Sequence, residues 1–82
     1  MAADPAIGRL RWRCRRGMKE LDLLLVRWLD AHYASASPER RSAFARLLDA
    51  QDPELVAWIF GRARPADPAV AELVDEMLAG PR

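Results

Sequence analysis

The sequence is poor in the residues that form disulfides and structural metal sites. Its 82 residues include one cysteine, Cys14, and one histidine, His32. A single cysteine cannot form a disulfide within the chain, and these two residues cannot supply the four ligands of a structural zinc site. No apolar run approaches the roughly 20 residues that span a bilayer. We therefore expect no bound metal and no membrane insertion.

The sequence motifs of common enzyme classes are also missing. The chain has no nucleophile paired with a base motif, no G-x-x-x-x-G-K phosphate loop, no H-E-x-x-H motif and no G-x-G-x-x-G fingerprint. Because no strand-turn-helix context is predicted, no helix N-terminus is prepared to receive a pyrophosphate. We expect a protein that is not an enzyme and that binds no cofactor independently.

The N-terminus lacks the features of a secretory signal. It carries Asp4 and Pro5 where such a signal has basic residues followed by an apolar stretch. Together with the single cysteine, this predicts a cytoplasmic protein in a reducing compartment. The composition, 51% hydrophobic and 30% charged, is typical of one globular domain, here residues 1–82 with a flexible N-terminus at residues 1–5.

What the sequence does contain is helical periodicity. Apolar residues recur at helical spacing in two N-terminal segments and predict helices over residues 6–16 and 18–33. No alternating run rich in Val, Ile or Thr predicts a strand. With three further helices described next, the fold class is all-α, a compact bundle of five short helices.

Three later helix starts share one pattern, an acceptor side chain followed by proline. Ser37, Asp52 and Asp67 are predicted N-caps, because each side chain can accept from the first free amides while proline occupies the first helical position. The helices that follow are predicted to end near residues 50, 60 and 79, where Gly61 and Gly80 mark the last two stops.

Each predicted helix has an apolar side that is expected to face a common core. The inward residues are Ile7, Leu10, Cys14, Met18, Leu21, Leu25, Trp28, Leu29, Phe44, Leu47, Leu48, Leu55, Trp58, Ile59, Val70, Leu73, Val74 and Met77. His32 shares the arc of the second helix and is predicted to be a neutral, hydrogen-bonded histidine at the edge of the core. Asp22 also lies at the edge of that arc, and we expect it to pair with an arginine of the first helix.

Positive charge is concentrated near the N-terminus. Residues 1–28 carry seven Arg or Lys against three acids, whereas residues 29–82 carry six against nine. Arg9, Trp12 and Arg16 recur at helical spacing opposite the apolar stripe of the first helix. Two interpretations of Trp12 remain open: it packs against a neighbouring helix or under arginine stems, or it contacts a partner.

The junction of the first two helices is the stretch on which the functional prediction depends. Gly17 interrupts a run of good helix formers, and glycine at a helix end usually adopts a left-handed conformation, so Gly17 is the predicted turning point. Arg16 and Glu20 flank it and are able to face one surface. The alternative is that Arg16 and Glu20 have no functional role and only stabilise the helix ends where they lie, through the helix dipole.

The stretch Arg16-Gly17-Met18-Lys19-Glu20 resembles the R-G-x-x-E motif of the SdhE family, small helical factors that promote covalent FAD attachment to succinate dehydrogenase. The resemblance covers most of the chain in order and spacing, and includes Arg9, Trp12, Cys14, Arg15, Asp22, Tyr33, Leu47-Leu48, Asp52-Pro53, Leu55, Trp58 and Pro65-Ala66-Asp67. One departure is Ala63-Arg64-Pro65, where relatives tend to carry a glycine shortly before the proline.

The resemblance implies a five-helix bundle that acts as an assembly factor. Its partner would be the flavoprotein subunit of succinate dehydrogenase or fumarate reductase, and FAD would be acted on in that partner. The implied partner-binding residues are Arg16, Gly17, Met18, Glu20, Arg9, Trp12 and Arg15.

An alternative function uses the basic first helix differently. Its arginines suit phosphates, and Trp12 suits base stacking, as in a nucleic-acid-binding module. A toxin-antitoxin-type interaction module is a further alternative. Because the rest of the chain is net acidic, no nucleic acid is expected as a partner.

Overall fold

Five α-helices joined by short turns make up the part of the chain that the computed structural model describes, residues 5–79. They are α1 (Pro5–Arg13), α2 (Lys19–His32), α3 (Pro38–Asp49), α4 (Asp52–Ile59) and α5 (Pro68–Ala79), with a 3-10 helix (Tyr33–Ser35) after α2. No strand occurs in these residues, and the predicted all-α bundle is confirmed. Of the expected flexible N-terminus, residues 1–4 lie outside the described residues and Pro5 begins α1. None of the described helices is long and apolar enough to cross a membrane.

One hydrophobic core connects the five helices. Phe44 is fully buried at its centre and stacks on Trp28, with ring centroids 4.7 Å apart. α3 packs against α5, and α2 contacts both α1 and α5. The buried side chains that form this core are Leu10, Cys14, Leu21, Leu25, Trp28, Leu29, Ala43, Phe44, Leu47, Leu48, Leu55, Ile59, Val70, Leu73, Val74 and Met77. Ile7 and Trp58 are partly buried against this core, whereas Met18 is exposed.

Two of the three predicted N-caps are confirmed. The Ser37 hydroxyl accepts a hydrogen bond from the N–H of Arg40 at 3.2 Å at the start of α3. Asp67 Oδ1 accepts from the N–H groups of Ala69 and Val70, at 3.0 and 3.4 Å, at the start of α5. In both cases the predicted helix start follows from a purely local interaction.

The predicted cap of α4 is wrong. Gln51 is the N-cap, and the Glu54 carboxylate reaches back to accept the N–H of Gln51 at 3.1 Å. Asp52 is therefore the first residue of α4 instead of its cap. Its carboxylate is available for another partner, which lies at the α1–α2 corner.

His32 differs from its predicted place at the edge of the core. It is exposed at the C-terminus of α2, with its ring centroid 5.9 Å from that of Trp28. The reason is that α2 ends there, before the chain enters the 3-10 helix. The indole N–H of Trp28 donates to the carboxylate of Glu76. Burial alone would raise the pKa of the Glu76 carboxyl, but this bond and the charge of Arg40 outweigh it and lower the pKa.

The connection between α4 and α5 requires glycine for a steric reason. A Cβ at Gly61 would lie 2.8 Å from the carbonyl oxygen of Ala57. The predicted helix stop at this glycine is confirmed, since α4 ends at Ile59. The predicted stop at Gly80 lies outside the described residues.

Candidate docking site at the corner between α1 and α2

α1 ends at Arg13, three residues earlier than the sequence predicted. The N–H of Cys14 bonds to the carbonyls of Leu10 and Arg11, at 3.0 and 3.2 Å, so the last turn tightens. The backbone N–H groups of Arg16 and Gly17 then leave the helical pattern. They are taken up by an acid of the next helix.

That acid is Asp22, in the first turn of α2. Its Oδ1 accepts the N–H of Arg16 at 2.8 Å, and its Oδ2 accepts the N–H of Gly17 at 3.2 Å. The predicted pairing of Asp22 with an arginine side chain is therefore wrong. The carboxylate binds backbone amides because the end of α1 leaves two adjacent donors beside it.

Gly17 is the turning point that the sequence predicted. Its φ is +82°, the one positive φ among the described residues. A side chain at this φ is strained, because Cβ crowds the backbone in the left-handed region. A Cβ built on Gly17 would meet no atom within 4 Å. Glycine is thus required by the backbone conformation, and the space beside it is open.

The Arg16 side chain turns inward, away from this open space. Its Nη1 donates to the Ala50 carbonyl at 3.0 Å and to Asp52 Oδ1 at 3.1 Å, and its Nη2 donates to the Leu48 carbonyl. Its Nε donates to the Arg13 carbonyl at 2.9 Å. Only 15% of the side chain is exposed. The guanidinium therefore links the end of α1 to the connection between α3 and α4.

The predicted common face of Arg9, Trp12 and Arg16 is therefore wrong for Arg16. The face required a helix that continued to residue 16, and α1 ends before it. Arg16 and Glu20, which the sequence placed near one corner, also point to different surroundings. Glu20 is exposed, whereas Arg16 is paired with Asp52.

Gly17, Met18 and Glu20 form an exposed surface that we call the docking corner. The Met18 side chain is 39% exposed. Within residues 5–79, no ion pair includes Glu20. The docking corner thus presents an apolar side chain, a carboxylate and an uncovered stretch of backbone to any partner.

Beside the docking corner, α1 and α2 enclose a surface groove, here the Trp12 groove, lined by Gly8, Arg9, Arg11, Trp12, Arg15 and Val26. Trp12 is 71% exposed, and the guanidinium carbon of Arg15 lies 5.3 Å from its ring centroid. The first interpretation of Trp12, packing against a neighbouring helix or under arginine stems, is confirmed for the arginine, since Arg15 lies over the ring while most of the ring stays exposed. The second interpretation, contact with a partner, stays a prediction.

The arginines around the Trp12 groove divide into paired and unpaired ones. Arg11 makes a bidentate pair with Asp30, and Arg13 pairs with Asp49. Arg9 and Arg15 have no acidic partner in the described part of the chain. Two guanidinium groups that have no acidic partner among residues 5–79 therefore flank Trp12.

Cys14 lies beneath the corner and is fully buried. Burial raises the pKa of its thiol to about 11, and the lowering effect of nearby Arg16 and Arg11 is smaller. The thiol is therefore protonated at neutral pH, which makes it a poor nucleophile. No group of three or more His, Cys, Asp or Glu in residues 5–79 is arranged to bind a metal ion.

The sequence prediction missed the roles of Asp52 and Val26. Asp52 follows Gln51 and precedes proline, and this local pattern was interpreted as a helix cap. The only signal for its contact with Arg16 was that Asp52-Pro53 belongs to the stretches that resemble the SdhE family. Val26 had no signal of its own, because its place in the Trp12 groove depends on how α1 crosses α2.

Comparison with known proteins supports the same resemblance. Residues 8–80 match the family described as flavinator of succinate dehydrogenase. A relative named FAD assembly factor SdhE from Methylococcus capsulatus is 49% identical over 72 residues, which cover 88% of this chain and 87% of the relative. Proteins of the same name from Shewanella oneidensis and Idiomarina loihiensis are 47% and 44% identical, over 83% and 87% of this chain and 83% and 79% of their own lengths. The chain therefore belongs to the family of succinate dehydrogenase flavinators.

Proposed function

We propose that this protein is an assembly factor that binds the flavoprotein subunit of succinate dehydrogenase, or of fumarate reductase, and promotes covalent attachment of FAD to that subunit. The observation that carries the proposal is the family match over residues 8–80, with relatives named FAD assembly factor at 44% to 49% identity. The protein acts like a chaperone, and FAD is bound and modified in the partner.

The surface that we propose for the partner combines the docking corner with the Trp12 groove. Arg15 connects the two, since it stacks on Trp12 and precedes the Gly17 turn by two residues. Exposed Trp and Arg side chains are the residue types that most often dominate binding energy, and truncating such an anchor costs about 2 kcal/mol or more. Trp12, with 71% of its surface exposed, is the strongest such anchor here.

The charges of this surface indicate what it binds. Arg9 and Arg15 need acidic groups, and Glu20 needs a donor or a cation, so the flavoprotein surface is expected to carry carboxylates opposite the Trp12 groove. Gly17 has no side chain and leaves room for close approach of the partner's backbone. This arrangement orients a partner instead of transferring a proton.

The proposed mechanism is positioning. Binding favours the flavoprotein conformation in which the histidine that accepts FAD lies against the flavin. Holding two reacting groups in place removes much of the entropic part of a barrier, up to about 7–11 kcal/mol in the best intramolecular cases. The covalent bond then forms within the partner, from groups that the partner supplies.

The test is co-expression with the flavoprotein subunit in a host that lacks its own factor. Protein-bound flavin is read as fluorescence on a denaturing gel, with and without this chain. We expect fluorescence that depends on the chain. Equal fluorescence without the chain would contradict the proposal for that flavoprotein.

Two matched pairs of variants locate the effect on the surface. Glu20→Ala is expected to reduce flavin attachment, whereas Glu39→Ala, which removes an exposed acid at the start of α3, is not. Arg15→Ala is expected to weaken binding of the flavoprotein subunit, whereas Arg62→Ala removes an exposed arginine remote in sequence and leaves binding unchanged. If both variants of a pair lost flavin attachment or binding to the same extent, the proposed surface would not be the one that binds the flavoprotein subunit.

The nucleic-acid alternative is less well supported by the same geometry. Arg11 and Arg13 are engaged by Asp30 and Asp49, and Arg16 is turned inward. Of the five arginines at positions 9, 11, 13, 15 and 16, only Arg9 and Arg15 have no acidic partner within residues 5–79, and so few phosphate contacts from the first helix give weak binding with a shallow salt dependence.

A further inference from the structure

The two charged ends of the Arg16-Gly17-Met18-Lys19-Glu20 stretch face opposite environments. Glu20 is exposed, whereas the Arg16 guanidinium is 15% exposed and donates to three carbonyls and one carboxylate. A side chain whose donors are taken up inside the protein has little left to offer a partner. The two charges therefore have different tasks.

We propose that Arg16, Asp22 and Asp52 are positioning residues for the docking corner. They fix the backbone at Gly17 so that Met18 and Glu20 are presented to the flavoprotein, and none of the three contacts it. This rests on the proposed function and goes beyond it, since it adds two acids to the site and removes Arg16 from the contact surface.

Asp52 fixes the corner through the Arg16 side chain. The guanidinium bridges the Leu48 and Ala50 carbonyls, which α3 leaves free at its C-terminus, and the carboxylate at the start of α4. A planar guanidinium with donors on several edges makes these bonds together, and a lysine ammonium cannot reproduce the arrangement. Arg16 thereby ties the α1–α2 corner to the connection between α3 and α4.

Asp22 fixes the same corner through the backbone. Its two oxygens accept the N–H groups of Arg16 and Gly17, at 2.8 and 3.2 Å. Charged acceptors make the stronger class of hydrogen bond to amides. Arg16 is thus held by its backbone to α2 and by its side chain to α4, which leaves little freedom at Gly17.

A neighbouring ion pair provides a matched control. Arg13 and Asp49 also connect the end of α1 to the end of α3, but their side chains are 41% and 71% exposed, against 15% and 39% for Arg16 and Asp52. Exposed pairs of this kind contribute little. Asp49→Ala therefore removes an acid from the same region without releasing Gly17.

The first test uses the free chain and does not depend on the partner. Amide hydrogen exchange of Arg16 and Gly17 is measured in the wild type, Asp22→Asn, Asp52→Ala and Asp49→Ala. We expect exchange to rise roughly tenfold in the first two variants and to stay unchanged in the third. Unchanged exchange in folded Asp22→Asn and Asp52→Ala would overturn the proposal.

The second test measures affinity for the purified flavoprotein subunit by calorimetry. Asp52→Ala and Arg16→Ala are each expected to weaken binding roughly tenfold, and the double variant is expected to bind no worse than either single variant, because both act through one link. Asp52→Asn, which keeps an acceptor oxygen for Arg16, is expected to retain most of the affinity. If Asp52→Ala fails to fold, Arg16→Ala measures the loss of the same link.

The outcomes separate the two proposals. The positioning role would be overturned if the double variant lost affinity by the product of the two single losses. It would also be overturned if Asp52→Ala bound the flavoprotein subunit as tightly as the wild type. No binding by the wild-type chain would contradict the proposed function, and the exchange measurement would still decide whether Asp22 and Asp52 fix the corner.

Discussion

Two corners of this molecule contain a glycine, and the two glycines are needed for opposite reasons. At Gly17, between α1 and α2, the backbone φ is +82° and an added Cβ would meet nothing within 4 Å. At Gly61, between α4 and α5, φ is not positive, but an added Cβ would lie 2.8 Å from the Ala57 carbonyl oxygen. Gly17 allows the backbone to turn where the space outside is open. Gly61 allows the backbone to pass close to the last turn of α4.

The difference separates a corner that serves a partner from one that serves the fold. The position that a Cβ of Gly61 would take is blocked by the backbone of α4 itself, so this glycine is required by the fold. The space beside Gly17 is empty in the free protein, and the backbone there is fixed from inside by Asp22 and Arg16. A rigid corner with an open outer side is what a docking surface requires.

The largest effect is expected from Gly17→Arg. The long side chain would project into the open space and obstruct the partner, so flavin attachment in co-expression should be lost, while helicity by circular dichroism stays nearly unchanged. Loss of helicity would instead assign Gly17 to folding and weaken the contrast between the corners.

Gly61→Ala should produce the reverse pattern. The clash with a backbone oxygen forces α4 or the following segment to shift, which is expected to cost about 2 kcal/mol of unfolding free energy. Urea unfolding measures this loss. Flavin attachment per folded molecule should remain at the wild-type level, and a loss of attachment without a loss of stability would contradict the separation of roles.

Gly17→Ala is expected to have a smaller effect on stability than Gly61→Ala. Its methyl group has free space, so only the strain of a positive φ remains, about 1 kcal/mol. Urea unfolding beside Gly61→Ala gives the comparison. A stability loss larger than that of Gly61→Ala would show that the surroundings of Gly17 are crowded after all.

The smallest effect concerns pH and the second corner. Hydrogen bonding by Arg64 lowers the pKa of Asp75, and hydrogen bonding by Arg46 lowers that of Asp67, from a usual value of 3.8. A carboxyl whose pKa is lower in the folded state contributes stability above about pH 4, and this contribution is lost as pH falls through the folded pKa. Urea unfolding from neutral pH to about pH 3 should show a modest decline.

The control for this decline is Arg64→Ala. It removes the partner of Asp75, so part of the acid-induced loss should disappear. An unchanged pH profile in this variant would show that the decline comes from other carboxylates. The docking corner is expected to contribute little to the difference in pH dependence between the wild type and Arg64→Ala, since Arg64 lies in the segment between α4 and α5.

The sequence predicted features that depend on neighbouring residues. The caps at Ser37 and Asp67 and the turning point at Gly17 each follow from interactions within a few residues, and all three are present. The apolar spacing placed Phe44 and Leu47 in the core for the same reason. Local chemistry was sufficient for the fold class.

The interior of the corner depends on distant residues and was not predictable in the same way. Arg16 and Asp52 are 36 positions apart, and nothing in the spacing of either indicates the other. Asp22 was expected to bind an arginine, but the early end of α1 supplied backbone amides that no periodicity reveals. The place of Arg16 inside the protein follows from that early end.

The most direct measurement is hydrogen exchange of this chain with and without the flavoprotein subunit. We expect binding to protect residues 12–20, which contain the docking corner and Trp12, and to leave residues 59–64 around Gly61 unchanged. Protection at residues 59–64 with no change at residues 12–20 would show that the flavoprotein subunit does not bind at the docking corner.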